Sequence, residues 1–161
     1  MKRALTALAS AALLAGCVSI DVQEAAVDFD REAATFDDAR VRACPAHRRQ
    51  DNARSSGPSE NVGVAITMLA ETPLARDPER VVRMRRIDIQ PGGTIAWHSH
   101  AEVQGMAYVV RGEMTEFRNS CLDLITYRAG DIAIEDAGTQ HGWRNDSDQT
   151  AVVLVVHEAP R

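Results

Sequence analysis

Three histidines are the side chains in this sequence best suited to do chemistry together. His98 and His100 follow a Pro91-Gly92-Gly93 turn signal, with one residue between them. An extended chain alternates its side chains, so both imidazoles point to one face. Two imidazoles on one face of a strand are half of a transition-metal site. His141 lies in a second stretch, residues 130–145, that reads as a short strand, a turn on Asp136-Ala137-Gly138 and another strand. Gln104 shares parity with His98 and His100 and is expected as a weak fourth ligand. Three neutral imidazoles and an amide leave a divalent charge uncompensated where the dielectric is low. Either an anionic ligand or a neighbouring carboxylate must complete such a site. Glu102 and Glu135 are the two candidates for that role and for catalysis; each also reads as an ordinary solvated side chain.

The elements that must position these groups are strands. From Asn61 onward the hydrophobic period is two, with Val62, Val64, Ile66 and Met68 alternating with smaller residues. Short runs follow at residues 81–89, 94–100, 106–111, 113–118, 122–127, 131–135, 139–144 and 151–157, separated by turn signals. That spacing predicts an all-β sandwich or barrel. Trp143 shares parity with His141 and is expected to line the cavity, as are Met106 and Tyr108 if their strand keeps the phase. A Trp inside a small barrel reads equally as core. Arg83, Arg85 and Arg86 are a basic cluster on one strand: an inward guanidinium would hold a substrate carboxylate or phosphate, and a solvated strand face explains the cluster as well.

The two histidine stretches resemble the cupin family. Gly92, five residues, His98, Ser99 and His100 match the first half of its first motif, and Gly112 lies at the closing turn. Gly130, Gly138, His141 and Asn145 fall at the spacing of its second motif. Asp136 stands for the family's proline and can still start a turn. The family's glutamate is replaced: counting from His100 lands on Gln104, and counting back from Gly112 lands on Gly105. The resemblance covers about residues 60–157. It implies a cupin-type jelly-roll β-barrel and one divalent transition metal (Fe, Zn, Mn, Ni or Cu) on His98, His100 and His141. Cupins with three histidines and no glutamate include dioxygenases. The expected function is thus a metal-dependent enzyme on a small organic molecule, dioxygenase-like or an isomerase or lyase. The alternative is a non-catalytic cupin that binds a small ligand or keeps a structural metal.

Residues 1–16 read as a signal segment, with Lys2 and Arg3 before an apolar run, and residues 17–60 as tether, helix and linker ahead of a barrel at 61–161. Leu14-Ala15-Gly16-Cys17 resembles the lipobox of bacterial lipoproteins, which implies lipid on Cys17 and a periplasm-facing place at the bacterial cell envelope. Residues 20–43 carry apolar positions at helical spacing and are expected to form an amphipathic helix on the barrel. Without residues 1–16, 16 basic residues face 23 acidic ones, a net of −7 that argues against nucleic acid as a partner. The expected partners are a small, anionic molecule, the membrane through the lipid, and a second copy of the chain. Cys44 and Cys121 either pair, as an exported protein permits, or remain two buried thiols.

Overall fold

The computed structural model describes residues 36–161. A 3-10 turn at Phe36–Asp38, β1 at Arg40–Val41 and a second 3-10 turn at Ala46–Arg48 lead into the barrel. The barrel strands are β2 (Val62–Leu74), β3 (Asp77–Ser99), β4 (Gln104–Arg111), β5 (Glu113–Arg118), β6 (Ile125–Arg128), β7 (Asp131–Glu135), β8 (Gln140–Arg144) and β9 (Ala151–Pro160). They form one curled sheet in the order β1-β7-β4-β9-β3-β8-β5-β6, with β2 added along β3. This is the all-β architecture expected from the period of two, and the jelly-roll form that the family resemblance implies.

The curl depends on strands that change partner midway. Residues 80–89 of β3 pair antiparallel with β9, and residues 94–99 of the same strand pair with β8. Gly92 makes the corner between them at φ +72°, a conformation a side chain would strain. Its N–H donates to Asn145 O, and Asn145 N–H donates to Gly93 O. The buried Asn145 amide also donates to Ile89 O and Gln149 O, so this side chain holds the corner. The Pro91-Gly92-Gly93 signal is therefore a corner inside one long strand, not a break between two. Gly112, at φ +78°, similarly carries the chain from β4, which pairs with β7 and β9, to β5, which pairs with β6 and β8.

Odd-numbered residues of β4, β9 and the first part of β3, residues 80–89, face inward, and Ile87, Ile89, Val109, Val153 and Val155 are buried there. Met114 and Tyr127 fill the opposite half. Each buried aliphatic side chain contributes roughly 1.5–3 kcal/mol relative to its exposed state. β2 differs: it hydrogen-bonds along β3 only, and Val62, Ile66, Met68 and Leu69 are exposed. The tip of this hairpin lies where Leu74 faces Asp77.

The signal segment, Cys17 and the expected helix up to residue 35 lie outside the described residues. The last part of that predicted helix is not α-helical. After the 3-10 turn, Arg40 and Val41 extend the sheet in parallel beside Asp131 and Ile132. Residues 44–60 form no strand and are held against the barrel. Cys44 is disulfide-bonded to Cys121, Arg48 is paired with Asp123 at 2.6 Å, and Pro58 O accepts the Trp97 N–H at 2.8 Å.

Candidate metal centre

The end of β3 and the facing strand β8 bring the three histidines together, with His98 opposite His141 in the ladder. His100 and His141 are buried, and His98 is exposed on the cavity side. His98 Nε2 lies 3.0 Å from His100 Nε2, which lies 2.9 Å from His141 Nε2. The far side of each ring fixes what these close approaches mean. His98 Nδ1 is 2.8 Å from Ala96 O, and His100 Nδ1 is 2.7 Å from Val103 O. A carbonyl oxygen only accepts, so both Nδ1 atoms carry the proton. His141 Nδ1 donates to Glu116 Oε1 at 2.6 Å. All three Nε2 atoms therefore present lone pairs to one another.

Lone pairs at this range repel unless a cation lies between them. A proton is disfavoured: burial, opposed in part by Glu135, pushes His100 down to about 4, and burial likewise lowers His98. A metal ion fits. Imidazole donors bind such ions at about 2.0–2.1 Å, which puts neighbouring donors roughly 3 Å apart. The carbonyl and carboxylate behind each ring are the partners that orient metal-binding imidazoles.

A carboxylate faces this cluster. Glu135, at the end of β7, is buried, with Oε1 3.5 Å from His141 Nε2 and 4.0 Å from His100 Nε2. Its Oε2 accepts a hydrogen bond from His157 Nε2 at 2.5 Å. Burial alone would raise this carboxyl, but the His157 hydrogen bond and the imidazoles of His141 and His100 outweigh it, and the net shift is downward. Gly105 explains the arrangement. It pairs with Glu135 on one side and His157 on the other, and a Cβ there would lie 1.9 Å from Val156 O and 2.9 Å from His157 Cδ2. The family's glutamate has no room at this point of β4, and a carboxylate arrives from the neighbouring strand β7.

Behind His141 lies a buried polar network. Glu116 Oε1 also accepts from Arg118 Nη1 at 2.9 Å, and Glu116 Oε2 accepts the Tyr127 hydroxyl at 2.9 Å. Burial, and next the Glu116 charge, push the Tyr127 phenol upward, which keeps it a donor. Arg118 continues to Thr139 Oγ1, which donates to Asp136 Oδ1. Asp136 thus starts the turn at the place of the family's proline, and its backbone O accepts the Thr139 N–H.

A cavity of about 260 Å³ opens beside His98 and Glu135, walled by Ile87, Val109, Val153 and Trp143. The buried Trp143 indole N–H points at His141 Nε2 over 3.4 Å. Other expected site residues lie elsewhere. Val103 N–H donates to His100 O in a turn, so the parity of His98 and His100 does not carry into β4. Gln104 is exposed there beside Glu158, Met106 is 47% exposed, and Tyr108 shares their outward parity. Glu102 is exposed in the turn. Of the basic cluster at residues 83–86, Arg85 is the member that lines the cavity, whereas Glu116 and His157 carry no motif that marks them as site residues. The signal for His157 was its place on the inward parity of Val153 and Val155; Glu116 similarly follows Met114 on β5.

Comparison with known proteins matches residues 85–157 to the cupin domain family model. No curated protein matches the sequence. Among solved structures, a cupin domain of Cnp3 from Schizosaccharomyces pombe is 12% identical with a TM-score of 0.50, over 62% of this chain and 66% of that one. The chain therefore spans just under two thirds of that domain. KdgF from a Halomonas species is 19% identical with a TM-score of 0.49, over 62% and 80% of the two chains. An uncharacterised Klebsiella pneumoniae protein with a double-stranded β-helix domain is 25% identical with a TM-score of 0.46, over 78% and 87%. The matched stretch contains the three histidines, Glu116 and Glu135, and residues 85–157 are a cupin domain.

Proposed function

We propose that this cupin holds one divalent transition ion on His98, His100 and His141 and acts on a small organic molecule by proton transfer, as an isomerase or lyase. The observation that carries the reading is the convergence of three Nε2 lone pairs, each fixed by a hydrogen bond at Nδ1. When bound, such an ion supplies Lewis-acid polarisation of a substrate oxygen. The chain's own residues supply the rest. Glu135 Oε1 faces the imidazole cluster and accepts or returns a proton there, while His157 holds the other oxygen. Trp143 and the aliphatic walls keep water away from that exchange. A buried carboxylate aimed at the cluster supports proton transfer as the reaction.

Metal content and deuterium exchange test this reading. His141→Ala is expected to lose stoichiometric metal on elemental analysis, whereas Gln104→Ala, altered on the outer face, keeps it. With small carbonyl acids in deuterated water, the loaded protein is expected to exchange carbon-bound protons, and Glu135→Gln to stop exchange while keeping its metal. Oxygen uptake without exchange would instead support the dioxygenase reading, and metal with neither activity a non-catalytic binder. Export as a lipoprotein is part of the proposal and rests on the Leu14-Ala15-Gly16-Cys17 box. Acyl labelling should disappear in Cys17→Ser; undiminished label would remove the envelope placement.

A further inference from the structure

Arg85 has no place in the metal chemistry, yet it lines the same cavity as His98 and Glu135. It sits on the inward parity of β3, two residues before the buried Ile87. One of its amino groups, Nη2, donates to His157 Nδ1 at 3.2 Å. Its Nε is buried and has no hydrogen-bond partner among the described residues. Arg54 and Arg83 share a buried, unpartnered Nε, but of the three only Arg85 lines this cavity, and several other arginines are paired. Arg48, Arg80 and Arg86 each meet a carboxylate, on Asp123, Glu158 and Asp88. A guanidinium turned into a cavity with a donor unspent is costly unless something fills the fork. Burial and the neighbouring Arg83 also push Arg85 below its ordinary value, as they would for a cation awaiting a counter-charge.

We propose that Arg85 is a carboxylate-binding residue of this cavity, and that its ligand is a small organic monocarboxylate with an apolar body. The proposal rests on the reading of the cavity as a substrate site. Three observations define the class. The planar guanidinium pairs with a carboxylate through two parallel N–H donors. The walls around it, Ile87, Ile95, Val109, Val153 and Val155, are aliphatic. Outside the histidine–carboxylate cluster, Arg85 itself and the Trp143 indole, Asn61 is the only hydrogen-bonding side chain among the described lining residues, which favours an apolar body. The volume of about 260 Å³ admits on the order of ten non-hydrogen atoms. Charge agrees: a divalent ion, the Glu135 carboxylate and Arg85 sum to two positive charges, which a monoanion reduces.

Pentanoate and its uncharged isostere pentanamide are suitable probes, with binding followed by calorimetry on chelator-treated and on metal-loaded protein. Pentanoate is expected to bind both forms, at least tenfold more tightly than pentanamide. Arg85→Gln should weaken pentanoate at least tenfold with its metal content unchanged, and Arg86→Gln, altered at the exposed Asp88 pair, should behave as wild type. The pentanoate–pentanamide ratio is read on the wild type, so it stands even if the Arg85 variant folds poorly. Equal binding of the two probes, no pentanoate binding to the wild type, or undiminished binding in Arg85→Gln overturns the proposal. So does competition by inorganic phosphate at equal concentration, which would mark a general anion site. Pentanoate that binds only metal-loaded protein, equally in wild type and variant, would place the carboxylate on the ion and also overturn it. A wild type that takes up no metal yet discriminates the probes through Arg85 would instead retain the carboxylate site and remove the metal reading.

Discussion

Glu116→Ala is expected to lower the stability of the protein by roughly 3–5 kcal/mol, the cost of breaking a buried, hydrogen-bonded charge pair from one side. The residue is fully buried and serves three donors at once, on His141, Arg118 and Tyr127. Removing the carboxylate strands the His141 imidazole N–H, leaves the Tyr127 hydroxyl only Arg42 O at 3.4 Å, and takes one hydrogen bond from Arg118, whose side chain is only 14% exposed. Glu116→Gln is the milder variant, because one amide oxygen can still accept from His141 and Arg118. It should fold and lose about 1–2 kcal/mol. Its metal affinity should fall about 10–100-fold, the usual effect of removing an anionic partner behind a metal-binding imidazole. Chemical denaturation and metal titration measure the two effects separately. Wild-type metal affinity in Glu116→Gln would show that the charge behind His141 is irrelevant to binding.

Loss of the Cys44–Cys121 bond should have a similarly large effect. The two residues are 77 apart in sequence, and closing a loop of that length stabilises by about 4 kcal/mol in the chain-entropy model. The double variant Cys44→Ala, Cys121→Ala should therefore melt on the order of 10–15 °C below the oxidised wild type. Reduced wild-type protein should melt near the variant. The consequence reaches the site as well. Cys121 follows the segment whose Asn119 side chain donates to Gly138 O and accepts the Gln140 N–H, so the bond steadies the turn that presents His141. A melting temperature within about 2 °C of wild type would mean that residues 44–60 are held by other contacts.

Much of the barrel was legible because strands announce themselves locally. The period of two, the turn signal at Gly92 and the paired parity of His98 and His100 come from neighbours in sequence, and the place of Gly112 from the family motif. What escaped depends on contacts that only closure of the sheet creates. Gln104 was assigned to the site by extending a parity that the turn after His100 resets. Met106 and Tyr108 moved outward for the same reason. Glu135 could be named only as one of two carboxylates, since its approach needs Gly105 between it and His157. Glu116 and His157 are single polar residues on inward parity with partners on other strands, and closure of the sheet decides which arginine of the 83–86 cluster turns inward. The disulfide was equally open, because pairing of two distant cysteines is a property of the fold. The segment ahead of the barrel misled in another way: its helical spacing ends in a 3-10 turn and a short strand, because β7 offers an edge at Asp131 and Ile132.

The central claim is that three imidazoles share one ion, and X-ray absorption at the zinc edge of stoichiometrically Zn(II)-loaded protein tests it most directly. Outer-shell scattering characteristic of imidazole should require three rings in the wild type. The same spectrum of any zinc retained by His141→Ala should require no more than two. A first shell of oxygen with one imidazole or none in the wild type would contradict the account, as would a variant spectrum identical to the wild type.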